Sequence, residues 1–172
     1  MFMFFSETLA IIENHILKGG MVMTYSALEV ARYIIYHEAQ QGRTVSNLRL
    51  QKLLYFVQAK FIADGQNASR CFYEPMEAWG FGPVVREVYY AYRYYGGAMI
   101  PPERNFSTMI ALSDQSMIDE ILDDCAQYST SALVDITHSQ TPWQDARRNP
   151  YNKEITTTSI YNYFKGAQNG KS

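Results

Sequence analysis

The spacing of apolar positions from Leu48 to Ala63 predicts a helix that is apolar on nearly all sides. Large apolar side chains recur at helical spacing on two faces, so water on either side would expose them. Lys52 and four other polar residues interrupt the run, which favours a buried core helix over a membrane span of about 20 apolar residues. We therefore expect the domain to pack around this helix. One face carries Leu50, Leu53, Leu54, Val57 and Phe61, and the other carries Leu48, Tyr55, Ala59, Ile62 and Ala63.

Helices predominate in the rest of the chain. Ser26 is a suitable N-cap with Glu29 at the third helical position, and Pro83 suits the first turn of a helix that runs to Tyr95. Residues 71–81 hold a proline and several aromatics, which indicates extended chain with a short strand. The pattern predicts a mainly α, compact helical domain around the buried central helix, with a minor β element. The central helix is expected to run from Thr44 or Ser46 to Gly65. Further helices are expected from Ser26 to Gly42, from Ser113 to Tyr128, from Ser131 to His138, from Thr141 to Asn149 and from Thr156 or Thr157 onward, with a loop and a small hairpin over 98–112.

Composition narrows the class of protein. The chain has 172 residues, of which 47% are hydrophobic and 19% charged, as expected for one globular domain. A net charge of −2 provides no general attraction to nucleic acid. Cys71 and Cys125 lie far apart, which disfavours a disulfide scaffold or a zinc site and indicates a reducing, cytoplasmic compartment. The 14 tyrosines suit either a recognition surface or the wet edges of a core.

Residues 1–22 are expected to lie outside this domain, as a leader or a weak helix. Their first apolar run, MFMFF, has no positive n-region and is too short for a signal peptide or a membrane span. The codons of Lys18-Gly19-Gly20 can also read as a ribosome-binding sequence a few nucleotides before Met23. We therefore expect translation to begin at Met23, and residues 23–172 to form a single domain.

Two blocks of sequence carry a resemblance to a known family. The first is Gln51-Lys52-Leu53-Leu54-Tyr55-Phe56, and the second is Glu77-Ala78-Trp79-Gly80-Phe81-Gly82-Pro83-Val84. With the Tyr89–Tyr95 helix and, more loosely, His138–Trp143, they resemble the SocA-like or Panacea antitoxin domain, over roughly residues 25 to 148. Members of that family are often described as phage-associated proteins. In this sequence, the residues assigned to the structural motif of the family are Lys52, Glu77, Trp79, Gly82, Pro83 and Trp143.

The resemblance implies a function. It indicates the antitoxin of a toxin–antitoxin system, which neutralises a toxin encoded nearby, in a prophage for example, by direct protein binding. One branch of the family acts as an adaptor that delivers its toxin to a Clp-type protease. The resemblance therefore implies a protein partner and neither an enzyme nor a membrane protein.

Catalytic and metal-binding patterns are weak in this chain. The sequence has no P-loop and no G-x-G-x-x-G. The stretch after His37 begins like a zinc-protease helix, but Gln41 stands where the second histidine must be. Cys71 with His138 would supply a nucleophile and a base, although a buried structural thiol fits Cys71 better. The acidic residues within 119–124 would suit a hard cation, but a solvated helix face explains them better. We expect no catalytic, cofactor or metal site.

The helix predicted after Pro83 shows where a partner would bind. One side of it is an apolar stripe, and the opposite side combines tyrosine and arginine, the composition of protein-binding hot spots. The alternative is that the tyrosine rings lie over neighbouring helices, with their hydroxyls in water. The predicted buried stripe is Val84, Val85, Val88, Tyr92 and Tyr95, and the predicted partner-binding residues are Arg86, Tyr90, Arg93 and Tyr94.

A phage- or mobile-element-associated DNA-binding regulator is the alternative function. Two helices flank residues 41–46 as in a helix-turn-helix, and Asn47, Arg49 and Gln51 lie at the start of the second helix. That second helix is the most apolar of the chain and must be buried, and the chain is acidic. We therefore expect no specific binding to duplex DNA.

Lys52 and Glu77 are predicted to form a buried pair. Lys52 lies among apolar residues of the central helix, so at least its stem should be buried, and a buried ammonium needs a partner. Glu77 lies beside Trp79 in the second block, where the chain should return to the core. The alternative is that Lys52 extends to water and Glu77 is an ordinary exposed carboxylate.

Overall fold

The central helix organises the fold of the computed structural model, which describes residues 24–64 and 69–169. The predictions for residues 1–22 and for a helix end at Gly65 lie outside these ranges. The described residues form a mainly α domain with a small sheet, which confirms the predicted fold class. The elements are α1 (Ala27–Gln40), α2 (Asn47–Asp64), β1 (Met76–Trp79), β2 (Gly82–Val85), α3 (Arg86–Tyr92) with a 3₁₀ turn (Arg93–Tyr95), α4 (Leu112–Ala126), α5 (Thr130–His138), α6 (Thr141–Arg148), β3 (Glu154–Ile155) and α7 (Thr157–Asn169).

Helix α2 is the predicted central helix, and both of its apolar faces are buried. It packs against α1, α4, α5, α7 and strand β2. Leu50, Leu54 and Val57 on one face and Tyr55 on the other are fully buried. Leu48 is an exception, because it lies in the first turn of α2 and is exposed. Burial on all sides explains why this helix has no wide polar face.

The sheet has the order β2-β1-β3, and both of its strand pairs are antiparallel. In the β1–β2 hairpin, Met76 is opposite Val85 and Trp79 is opposite Gly82. The prediction that Pro83 starts a helix is wrong, because Pro83 lies within β2. Strand β2 is an edge of the described sheet, and an edge strand tolerates a residue that has no N–H to donate.

Several predicted helix ends are confirmed and others move by a residue or two. Ser26 caps α1, since its Oγ accepts a hydrogen bond from Glu29 N at 3.1 Å. Helix α4 begins one residue before the predicted Ser113. The hairpin suggested within 98–112 is absent from the described residues. That loop is tied instead to the α1–α2 connection, where Ile100 N donates to the carbonyl of Val45 at 2.8 Å.

None of the described helices is long and apolar enough to cross a membrane. The helix nearest to that length is α2, at 18 residues. Four of its polar residues, Asn47, Gln51, Lys52 and Gln58, are buried inside the domain.

Candidate protein-binding surface

Polar side chains of α2 hold the β1–β2 hairpin and α3 in place. Asn47 Nδ2 donates to the carbonyl of Tyr89 at 3.0 Å, and Gln51 Oε1 accepts from Val85 N at 2.9 Å. Gln51 Nε2 in turn donates to Asn47 Oδ1 at 3.0 Å. Both side-chain amides are buried, and their hydrogen bonds to backbone groups offset the cost of removing them from water. The start of α3 is therefore fixed from the interior of the domain.

Lys52 is fully buried on the same helix. Its Nζ donates to the carbonyl of Pro83 at 2.8 Å. Burial lowers the pKa of Lys52 from 10.5 to about 7, because removal from water disfavours the charged form. The predicted burial of Lys52 is thus confirmed, and its partner is a strand carbonyl.

The predicted ion pair between Lys52 and Glu77 is wrong. Glu77 accepts from Arg86 Nε at 3.0 Å and Nη2 at 2.9 Å, and from Trp79 Nε1 at 2.8 Å. The Arg86 guanidinium lowers the pKa of Glu77. The reason is the strand period: Met76 and its second neighbour face the core, so the side chain of Glu77 points to the other side of β1.

Gly82 lies at the close approach of the hairpin to α2. Its φ is +102°, which disfavours any residue with a Cβ. A Cβ built there would lie 2.7 Å from Lys52 Nζ and 2.8 Å from Thr137 Oγ1. The glycine therefore lets the strand backbone reach the buried lysine.

Helix α6 contacts the hairpin through Trp143. The Trp143 Nε1 donates to the carbonyl of Trp79 at 3.0 Å, and its ring stacks on His138 with centroids 4.1 Å apart. Burial and then the nearby Lys52 charge lower the pKa of His138. The six motif residues therefore lie in or against one hairpin, and the contacts described for them are with other residues of the same domain.

An exposed surface covers the outer side of this hairpin and α3, and we call it the aromatic face. Tyr94 is 93% exposed, Phe81 73% and Tyr90 47%. The Arg93 guanidinium lies over the Tyr90 ring at 5.2 Å, which pre-orders both side chains. The aromatic face consists of Phe81, Arg86, Tyr89, Tyr90, Arg93 and Tyr94.

All four residues predicted to bind a partner, Arg86, Tyr90, Arg93 and Tyr94, are exposed here. Tyr92 and Tyr95 of the predicted buried stripe are only half-buried. The stripe itself is confirmed at its three valines, Val84, Val85 and Val88, which are buried.

A cavity of about 290 Å³ opens beside the aromatic face. Leu48, Trp79, Phe81, Tyr89 and Arg93 are among the residues that line it. Sequence reasoning missed the exposure of Leu48 and Phe81. The signal for Phe81 is present in the sequence, since a phenylalanine between two glycines at a tight turn has no neighbours to bury it.

The residues that suggested DNA reading are engaged inside the domain. Asn47 and Gln51 are buried. Arg49 Nη1 donates to the carbonyl of Tyr128 at 2.9 Å, just after α4, and Nη2 donates to that of Cys125 at 3.0 Å, in the last turn of α4. Within residues 24–64 and 69–169, no group of three or more His, Cys, Asp or Glu side chains is arranged to hold a metal.

Cys71 has the properties of a structural thiol. It is fully buried, and burial raises its pKa, which disfavours the thiolate that a nucleophile needs. Its backbone N–H donates to Gln58 Oε1 at 2.8 Å, so it also helps to hold the chain against α2.

Comparison with known proteins agrees with the resemblance seen in the sequence. The sequence model of the family described as "Antitoxin SocA-like, Panacea domain" matches residues 50–144. Antitoxin SocA of Caulobacter vibrioides (strain NA1000 / CB15N) is 32% identical over 137 residues, which cover 72% of this chain and 71% of that protein. No solved structure matches the chain. Residues 50–144 include all but the first three residues of α2, the hairpin and the aromatic face, and the chain therefore belongs to the SocA-like antitoxin family with a Panacea domain.

Proposed function

We propose that this protein is an antitoxin that neutralises a cognate protein toxin by direct contact through the aromatic face. Family membership supports a toxin partner, and the surface supports the place of contact. The observation that carries the proposal is the cluster of exposed tyrosine, phenylalanine and arginine side chains beside a cavity of about 290 Å³. Exposed aromatic residues of this kind are the usual anchors of protein interfaces.

The rigidity of the aromatic face adds to the argument. The hairpin is fixed by Lys52 and Gln51, and α3 is fixed by Asn47, so the anchors are presented on a supported backbone. Arg86 is held in addition by the two hydrogen bonds to Glu77. A pre-ordered surface loses little conformational entropy on binding, which favours high affinity.

The test is a double substitution, Tyr90→Ala with Tyr94→Ala. We expect binding of the co-encoded toxin to weaken by about 30-fold or more, since truncation of a hot-spot aromatic costs about 2 kcal/mol or more. Rescue of toxin-inhibited growth and co-purification with the toxin are the two measurements. Full rescue by the double variant at normal expression contradicts the aromatic face as the contact surface.

The chain offers a matched control. Tyr73 and Tyr151 are also exposed, at 57% and 97%, and neither belongs to the aromatic face. Tyr73→Ala with Tyr151→Ala removes the same two rings and should leave neutralisation unchanged. Equal loss in both double variants would indicate a general effect of tyrosine removal rather than a binding surface.

Direct contact can end in occlusion of the toxin or in its delivery to a Clp-type protease. We propose occlusion as the primary effect, because the bound surface alone suffices for it. The half-life of the toxin separates the two routes. A stable toxin in antitoxin-expressing cells supports occlusion, whereas rapid, protease-dependent loss of the toxin shows delivery.

A further inference from the structure

A second concave surface lies on the other half of α2, between α2, α4, α5 and α7. It encloses about 310 Å³ and shares no lining residue with the cavity beside the aromatic face. Ala59 and Leu133 are buried in its lining, whereas the larger side chains around them are only partly buried. We call it the four-helix groove, and its apolar lining includes Phe56, Ala59, Ile121, Leu133, Ile136 and Phe164.

The rim of the four-helix groove is acidic. Asp64 and Asp124 line it, and Glu120 lies next to it. The one cation among these lining residues is Lys60, whose Nζ is 2.8 Å from Asp64 and 3.9 Å from Glu120. The hydrogen bond to Asp64 and the charges of the other carboxylates raise the pKa of Lys60. Arg49 also donates to the carbonyls of two lining residues, Cys125 and Tyr128, so among the described residues three carboxylates at this rim face two cations and leave it with a net negative charge.

The apolar lining and the acidic rim together determine which class of ligand the groove can bind. The groove is large enough for one or two large apolar side chains, and its lining rewards their burial. The rim attracts cations and repels anions such as phosphates or fatty-acid carboxylates. Helices contribute all the described lining residues except Tyr128, and a groove between helices accepts an amphipathic helix by its apolar side.

We propose that the four-helix groove binds a cationic amphipathic segment of the toxin, in which Lys or Arg flanks large apolar side chains. This inference rests on the proposed function for the identity of the partner. The chemistry of the segment follows from the groove alone. The toxin would then be held at two separate surfaces, the aromatic face and the four-helix groove.

Three synthetic peptides test the chemistry without any toxin. The first is a cationic amphipathic helix of about 16 residues, with Leu and Phe on one side and Lys and Arg on the other. The second replaces every Lys and Arg by Glu, and the third replaces every Leu and Phe by Ser. We expect the first alone to bind, with shifts of the amide resonances of Ala59, Ile121 and Leu133. Equal binding of the second peptide, or no binding of the first at about 1 mM, overturns the proposal.

A rim variant tests the role of charge in the same titration. Glu120→Lys with Asp124→Lys reverses two exposed charges and should weaken the cationic peptide by about tenfold, more at low than at high salt. Asp135→Lys with Asp145→Lys is the control, since it makes the same change of net charge at exposed positions outside the groove. If both double variants bind the cationic peptide equally weakly, or if both bind it as well as the wild type does, the acidic rim is not the source of selectivity.

Growth rescue then decides whether the toxin is the occupant. We expect the rim variant to neutralise the co-encoded toxin less well than the control variant does. Unimpaired neutralisation by a rim variant that has lost peptide binding overturns the toxin as the partner at this groove. Shifts that depend on the concentration of the protein itself, without peptide, would instead show a second copy of this chain. Because the titration contains no toxin, failure of the groove and failure of the antitoxin function give different results.

Discussion

Lys52 gives the sharpest test of how the hairpin is held, because its burial has a predictable effect on stability against pH. The folded protein lowers the pKa of Lys52 from 10.5 to about 7, so between these values the unfolded chain binds more protons than the folded protein. Stability therefore rises with pH across this window. Lys52→Met removes the titrating group and keeps a side chain of similar length in the same space.

The magnitude follows from the two pKa values. The cost of the buried amine is close to 4 kcal/mol at pH 7 and falls to about 2 kcal/mol at pH 9. We therefore expect the wild-type protein to gain about 2 kcal/mol relative to Lys52→Met between pH 7 and pH 9. The variant also leaves the Pro83 carbonyl without its donor, a loss of about 1–3 kcal/mol that does not depend on pH.

Urea denaturation at pH 7, 8 and 9 measures both contributions. His138 is present in both proteins, so its own titration largely cancels when wild type and Lys52→Met are compared at the same pH. Lys60→Met is the matched control on the same helix. The folded protein raises the pKa of Lys60 above its ordinary value of 10.5, so Lys60 is charged in both the folded and the unfolded state from pH 7 to 9 and its contribution stays nearly constant there. Parallel curves for wild type and Lys52→Met would refute a buried, largely neutral lysine.

Further substitutions test the surrounding contacts. Gly82→Ala should destabilise by about 2 kcal/mol or more in denaturant titrations, since it combines a positive φ with a clash at Lys52; a neutral effect would contradict the close approach. In a double-mutant cycle, Lys52→Met and Glu77→Gln should add to within about 0.5 kcal/mol, and a larger coupling would revive the rejected ion pair. Trp143→Phe should cost about 1 kcal/mol through the lost hydrogen bond to Trp79, measured by its unfolding midpoint against wild type. Electrophoretic shifts with the gene's own promoter should show no sequence-dependent complex at physiological salt, and a sharp one would favour the DNA-binding alternative.

Periodicity was sufficient to predict the centre of the fold. The all-round apolar pattern of α2 corresponds to buried residues except at Leu48, and so do three of the five residues of the predicted stripe, Val84, Val85 and Val88. Such patterns depend only on which side chains must leave water, and that requirement is visible in a single sequence. The start of α3 was misplaced for a related reason. Pro83 is equally acceptable in a first helical turn and in an edge strand, and local preference does not choose between them.

The partners of buried polar groups were harder to predict. The sequence predicts Glu77 as the partner of Lys52, because a buried ammonium needs a partner and a carboxylate is the partner that a sequence makes visible. The structure uses the carbonyl of Pro83 instead. Every residue carries a carbonyl, so sequence alone does not mark the one that will accept. The same holds for Asn47 and Gln51, which suggested DNA reading and in fact bind the backbone of the hairpin and α3.

These buried polar contacts explain how an apolar helix can specify one arrangement of its neighbours. Apolar packing alone tolerates a slip of the hairpin along α2, whereas the donor at Lys52 and the acceptor at Gln51 each have one matching backbone group of the hairpin in the correct register. A slip by one residue would turn Glu77 and Trp79 toward the core and leave Lys52 without an acceptor. The hairpin register in turn determines that Phe81 stands at the exposed turn and that Arg86 reaches Glu77. The aromatic face proposed to bind the toxin is therefore positioned by the buried polar residues of the central helix.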